Sequence, residues 1–225
     1  MRAPHESSDL ELQRRALVAS IEESLGPFDP LHLEAIRVVP RERFVRAANV
    51  SQSAEDIPLP LDDEGLATIS APHAYLLSFR LLALAPGDRL VELGSGTGYG
   101  AALASFIIGP RGHVTTVEID AELAAQARLL LGRLSNVTAV HGDAVASTPM
   151  WRDSKKVVCT FAIDDVPSAW LDALPDGGLI VAPVGHERRS GNQELVRVQR
   201  EGDSLHYTSH GGVRYVRNRS RIAPA

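Results

Sequence analysis

Apolar positions along this chain keep a helical period at first and a strand period later. Leu10, Leu17, Val18, Ile21 and Leu25 recur at helical spacing over 10–25, and Gly26-Pro27 ends the run. Residues 1–9 read as a frayed terminus. Leu31, Leu33, Ile36 and Val38, followed by Pro40, predict a short helix over 30–38. Residues 46–69 are polar, contain prolines and turn acidic at Asp62-Asp63-Glu64. A stretch of that length inside a folded body predicts a long ordered loop or small subdomain over the core. Ser70-Ala71-Pro72 then opens a helix carrying Tyr75, Leu76, Phe79 and Leu82, with Ser70 where an N-cap belongs.

From Gly87 the pattern alternates. Strands are predicted near 89–93, 114–117, 137–140, 157–161 and 179–183, with helices near 98–108, 120–131 and 167–174. Alternating strands and helices predict a parallel, doubly wound sheet. Two further strands, 195–198 and 213–216, have no helix between them and predict an antiparallel edge. The fold expected is α/β: a doubly wound, mostly parallel seven-stranded sheet, Rossmann-like, with an N-terminal helical and loop extension. One domain is expected over 1–225. Residues 1–85 would form the N-terminal helices and cap loop, and 86–225 the α/β core and C-terminal strands.

The chemistry concentrates at one turn. Leu90-Val91-Glu92-Leu93 runs into Gly94-Ser95-Gly96-Thr97-Gly98, and Val114-Thr115-Thr116-Val117 ends in Glu118. This is the layout of an adenosine-binding βαβ unit. Glycines let the backbone pass close to a ligand, and the following helix N-terminus offers free N–H groups to an anion. Glu118 can accept both ribose hydroxyls. Asp143, in Gly142-Asp143-Ala144, sits where it could meet an adenine amino group. A dinucleotide site would want a small sixth residue, yet Tyr99 stands there when counted from Gly94; the shifted frame Gly96, Gly98, Ala101 fits loosely. Glu-Leu-Gly-Ser-Gly-Thr-Gly with a later Gly-Asp is more typical of S-adenosylmethionine enzymes. A structural turn without ligand is the remaining alternative.

Composition narrows the picture. The formal charge of −5 provides no basic field for nucleic acid. Arg214, Arg217, Arg219 and Arg221 cluster near the C-terminus and read as a solvated tail. A lone cysteine, Cys159, lies in an apolar run, which excludes a disulfide framework and predicts burial in a strand. The eight histidines show no metal-ligand spacing, so no metal is assigned. No run reaches the roughly 18 apolar residues of a membrane span, and the N-terminus has no apolar signal core. A cytoplasmic monomer without membrane or nucleic-acid contact is the expectation.

Ala67-Thr68-Ile69-Ser70-Ala71-Pro72-His73 resembles the signature segment of the protein-L-isoaspartate (D-aspartate) O-methyltransferase family. Residues 33–45, with Pro40-Arg41-Glu42, resemble its N-terminal helix and turn. Asp56-Ile57-Pro58-Leu59-Pro60 resembles its loop, and 191–195 and 212–216 its closing strands. The likeness runs from about residue 10 to 216. It implies S-adenosyl-L-methionine as cofactor, S-adenosyl-L-homocysteine as product, and a protein or peptide substrate carrying isoaspartate or aspartate. It places Glu92, Gly94, Ser95, Gly96, Thr97 and Gly98 under the cofactor, and Glu118 and Ile119 at the ribose. Gly142, Asp143 and Ala144 would lie near the adenine. Ala67, Thr68, Ile69, Ser70, Tyr75 and Thr160 would close around the methionine end, with Ser70 the catalytic hydroxyl. His73 reads as helix packing.

The chain departs from the family on the substrate side. Thr160, Ala162 and Pro167 fit a small apolar run, but Phe161, Ile163 and Asp164 are larger or charged. Asp164-Asp165 read as a cap for the next helix. Leu66-Ala67 replaces Gly-Gln, and Arg217-Asn218-Arg219 replaces a Pro-Leu-Thr-like ending. These departures keep two other readings open: a carboxyl methyltransferase for one dedicated peptide, and a cofactor-binding protein without catalysis.

Overall fold

The computed structural model describes residues 4–146, 148–151, 153–185 and 192–219. Residues 1–3 of the expected frayed terminus, Gly191 of a closing-strand motif and Arg221 of the arginine cluster lie outside them. The rest of the expected frayed terminus is helical: α1 spans Pro4–Leu25. Helix α2 (Pro30–Val38) matches its predicted bounds, because Pro30 pre-sets the first turn and the Asp29 carboxylate accepts the Leu31 N–H at 2.8 Å.

The polar stretch 46–69 is ordered. A 3-10 turn covers Ala47–Gln52, and β1 (Leu59–Pro60) pairs antiparallel with β2 (Thr68–Ile69). Leu59, Leu61 and Ile69 are buried, so the hairpin is fastened to the core by its apolar side while residues 61–67 arch outward as a roof.

Helix α3 (Pro72–Leu81) follows, and here local sequence misleads. Ala71, not Ser70, occupies the N-cap, and no neighbouring side chain caps it. The acceptor comes from Asp56, seventeen positions upstream, whose two oxygens take the His73 N–H and face His73 Nδ1, each at 2.9 Å. Burial pushes the Asp56 carboxyl up, but the two His73 contacts outweigh it and hold it below the usual range.

The core comprises β3 (Arg89–Leu93), α4 (Tyr99–Ile108), β4 (His113–Glu118), α5 (Ala121–Leu131), β5 (Val137–His141), β6 (Lys156–Cys159), α6 (Ser168–Ala173), β7 (Leu179–Val184), β8 (Gln193–Glu201) and β9 (Ser204–Val213). The sheet order is β5-β4-β3-β6-β7-β8-β9. The first five in that order pair in parallel, and β8 and β9 are antiparallel. Successive residues alternate between faces: Leu90 and Val158 join one apolar cluster with the N-terminal helices, and Val91 and Val157 join the other with Trp170. The predicted strand over 213–216 is corrected: β9 ends at Val213. It is an edge strand, mostly exposed, so its polar residues carry no buried pattern.

The order in which strands are added reverses between β3 and β6, which run parallel. From β3 the chain steps outward to β4 and β5, then returns to build β6 on the other side. Loops leaving the carboxyl ends of β3 and β6 therefore diverge and open a crevice, the usual ligand position in open α/β sheets.

Candidate active site

The crevice floor is the glycine turn. Gly94, Gly96 and Gly98 have φ of 93°, 52° and 96°. Gly94 is doubly constrained, because a Cβ there would sit 2.5 Å from Thr160 Oγ1 and 2.8 Å from Phe161 Cδ1. The turn is tied to the next strand: Gly94 N–H and Ser95 N–H donate to the Val117 carbonyl at 2.8 and 3.1 Å. Gly98 then starts α4.

Glu118 closes β4 and is nearly buried. Its Oε2 accepts the Gly96 N–H at 2.7 Å and its Oε1 the Asp120 N–H at 3.0 Å. Burial raises its pKa, and those two backbone donors oppose the rise. Each oxygen keeps a second lone pair, so the carboxylate can accept two ribose hydroxyls without releasing the backbone. Glu118→Gln, which turns one acceptor into a donor, should weaken S-adenosyl-L-homocysteine binding about tenfold, measured by calorimetry. Unchanged affinity would remove Glu118 from the site.

The crevice is a half-open cleft rather than a sealed cavity, and its empty space of about 540 Å³ runs out into solvent. Glu118, Ile119 and Ala144 wall one end, and Ala67, Thr68 and Thr160 the other. A smaller chamber of about 230 Å³ shares Thr68, Gly94, Gly96 and Thr160 with it and adds Ile69, Ser70, Tyr75, Ser95 and Thr97. So the structure gathers most of the predicted site residues around one double chamber.

Four predicted residues are not among its walls. Gly98 is spent on turning the chain into α4. Gly142 donates to the Glu118 carbonyl at 2.8 Å and supports the wall from behind. Asp143 uses Oδ1 to accept the Val145 N–H at 2.9 Å, and its loop contributes Ala144 to the wall instead. Glu92 lies beneath the turn, 2% exposed, and accepts the Thr116 hydroxyl at 2.6 Å.

Burial pushes the Glu92 carboxyl up to about 8, with the Glu118 charge adding to the rise and the Thr116 hydroxyl opposing it. A carboxyl that holds its proton more tightly folded than unfolded contributes stability at low pH and loses it as pH climbs from about 4.5 toward about 8. Glu92→Gln should remove that loss. Urea titrations should show it gaining about 2–4 kcal/mol on the parent between pH 5 and pH 8.5. Parallel stability profiles would contradict the buried neutral acid.

Ser70 presents its hydroxyl at the smaller chamber. Its backbone is fully engaged: the N–H donates to Tyr75 Oη at 3.3 Å, and the carbonyl accepts from Arg41 Nη2 at 3.0 Å. Because Asp56 supplies the helix cap, the hydroxyl makes no hydrogen bond to any described residue. The Thr97 hydroxyl, by contrast, is committed to the Phe44 carbonyl at 2.6 Å.

Arg41 is 1% exposed, and no carboxylate bonds it among the described residues. It donates instead to the carbonyls of Ser53, Glu55, Ile57 and Ser70 at 2.7–3.2 Å. One guanidinium thus gathers the loop and the Ser70 backbone, although burial lowers its pKa.

Sequence reasoning missed part of the wall. Leu66 and Phe161 face the larger chamber, and so do residues 216–219. The solvated-tail reading is corrected for Arg217 and Arg219, which wall the crevice; Arg219 pairs with Asp62 and Asp120. The helix-cap reading of Asp164-Asp165 is corrected too. Pro167 holds the α6 N-cap without a side-chain bond, and Asp165 Oδ1 accepts the Val166 N–H at 2.8 Å. His73 is absent from both chamber walls, its ring held against Asp56.

A sheet of this order, with a glycine turn on one central strand and an acid on the next, defines an S-adenosylmethionine-dependent methyltransferase of the Rossmann-like class. A solved structure described as a protein-L-isoaspartate O-methyltransferase superposes with a TM-score of 0.82 at 27% identity, covering 91% of this chain and 65% of that one. A Plasmodium falciparum chain solved with S-adenosyl-L-homocysteine shares the fold, with a TM-score of 0.77 at 17% identity over 91% of this chain and 97% of that one. A protein-L-isoaspartate O-methyltransferase from Methanothermobacter thermautotrophicus is 37% identical over 185 residues, 81% of this chain and 83% of the relative. Residues 15–222 match the protein-L-isoaspartate(D-aspartate) O-methyltransferase (PCMT) family, and the chain belongs to it.

Proposed function

We propose that this chain is an S-adenosylmethionine-dependent carboxyl O-methyltransferase acting on L-isoaspartyl or D-aspartyl residues of damaged proteins and peptides. The observation that carries the reading is the family match over 15–222, which includes the Ser70 segment beside the glycine turn. An elongated cofactor would lie along the two adjoining chambers. Glu118, Ile119 and Ala144 would hold the adenosine end, and Thr68, Ser70 and the glycine turn the methionine end.

The cofactor, when bound, supplies a methyl group on a positively charged sulfur. The acceptor carboxylate has a reference pKa near ~4 and is ionised at neutral pH, so the chain needs no general base. Its task is to place the nucleophile and keep water out. The Ser70 hydroxyl can donate to the acceptor's non-attacking oxygen and aim the other one. Tyr75 and Arg41 hold the Ser70 backbone while it does so.

The test is methylation with labelled cofactor of an isoaspartyl peptide beside its aspartyl twin. Labelling confined to the isoaspartyl peptide is expected; equal or absent labelling of the two removes the reading. A second reading, a dedicated peptide substrate, is favoured by Phe161 and Arg217, which put a bulky ring and a cation into the crevice wall. Turnover of generic isoaspartyl peptides would count against it.

We also propose a cytoplasmic monomer working as one domain. The lone buried thiol suits a reducing compartment. One apolar cluster joins the N-terminal helices to the sheet. Among the described residues, no helix is long and apolar enough to cross a membrane. The net charge of −5 argues against nucleic acid as partner.

A further inference from the structure

The roof of the crevice is made from two segments far apart in sequence. One is the acidic loop 61–67, which brings Leu66 and Ala67 over the larger chamber. The other is the C-terminal segment 216–219. That segment is seated on the loop after β6: Ala162 N–H donates to the Val216 carbonyl at 2.7 Å, and Asn218 N–H to the Ala162 carbonyl at 3.0 Å. It thereby delivers Arg219 to the edge of the crevice.

Arg219 meets one carboxylate from the roof and one from the floor. Nη2 lies 2.6 Å from Asp62 Oδ2, and Nη1 lies 3.3 Å from Asp120 Oδ2. Both acids are already committed to backbone through their other oxygen. Asp62 Oδ1 accepts the Leu66 N–H at 2.9 Å, which sets the shape of the roof loop. Asp120 Oδ1 accepts the Glu122 and Leu123 N–H groups at 3.0 Å, capping α5, and the Asp120 N–H bonds Glu118. The far side of the loop is held separately. Arg46 donates to the Asp62 carbonyl at 3.0 Å and pairs with Asp63 at 2.6 Å.

From this geometry we infer that Arg219 is a positioning residue for the cofactor: it clasps the roof loop through Asp62 to the Glu118–Asp120 floor and slows cofactor release. A forked guanidinium can bridge two carboxylates at once, which an ammonium does poorly. The three side chains are only 21–33% exposed, so the network is screened less than an isolated surface pair. Arg219 stands in the wall of the half-open crevice, so a cofactor leaving over this edge requires the clasp to open. The inference rests on the cofactor lying in this crevice.

Stopped-flow release of S-adenosyl-L-homocysteine from the full chain tests it. Arg219→Gln and Asp62→Asn should each speed release about tenfold, and the double variant no further, because both remove the same contact. Arg219→Lys should fall between parent and Arg219→Gln. Raising salt from about 0.05 M to about 0.5 M should speed release from the parent and not from Arg219→Gln. Thermal midpoints without ligand verify that the variants are folded. Release at the parental rate from folded Arg219→Gln, or additive effects in the double variant, would show that Arg219 only fastens the C-terminal segment. A parent chain that binds no S-adenosyl-L-homocysteine would overturn the cofactor site itself, and the clasp with it.

Discussion

Ser70→Ala is expected to lower kcat on an isoaspartyl peptide by about a hundredfold while keeping S-adenosyl-L-homocysteine affinity within about threefold. Removing one oriented donor from a water-poor site usually costs a factor of that order. The loss should fall on kcat, because the ionised acceptor still binds but is no longer aimed. Fold and helix should survive, since the hydroxyl caps nothing: Ala71 holds the N-cap, and Asp56 accepts the His73 N–H. Steady-state kinetics with both substrates varied, alongside calorimetry, separate the two quantities. A kcat within threefold of the parent would take the hydroxyl out of the reaction. A collapse of thermal stability would instead make it structural.

Arg41→Met is expected to destabilise the fold by about 2–4 kcal/mol, lowering the thermal midpoint by roughly 5–15 °C. The substitution keeps an unbranched apolar stem, two atoms shorter, and removes every donor. Four carbonyls, on Ser53, Glu55, Ile57 and Ser70, then lose the partner they share. Relief from burying a cation offsets part of that cost, which is why the figure is not larger. The hairpin and the segment before α3 should loosen first, visible as faster amide exchange over 53–57 and at 70–71. A midpoint within about 2 °C of the parent would mean that water replaces the guanidinium.

How far these features could be read from sequence depended on the distance between partners. The parallel strands were legible because both faces are covered, so residues 157–159 are wholly apolar and 90–93 are apolar but for Glu92. Helix α2 was legible because its cap and its proline are adjacent in sequence. The glycine turn and Glu118 were legible because one βαβ unit contains them all. Strand β9 was not, since an exposed edge strand needs no apolar side. Ser70 looked like a cap because its rival, Asp56, lies seventeen positions before the His73 N–H it accepts. The C-terminal arginines looked solvated because the partners of Arg219 lie 157 and 99 positions upstream. Asp143 accepts the Val145 N–H within its own turn, a contact that no motif displays.

Cys159 ends β6 directly before Thr160 and Phe161 in the crevice wall. It is 2% exposed, its Sγ–H directed to the Phe161 carbonyl at 3.1 Å, and burial pushes the thiol up to about 12. The native chain should therefore resist alkylating reagents, and its catalysis should be indifferent to reductant. Modification would proceed only through molecules in which the end of β6 has come away from its neighbours. One natural sulfhydryl thus serves as a clock for breathing motions at the heart of the sheet, readable by mass spectrometry without any engineered label.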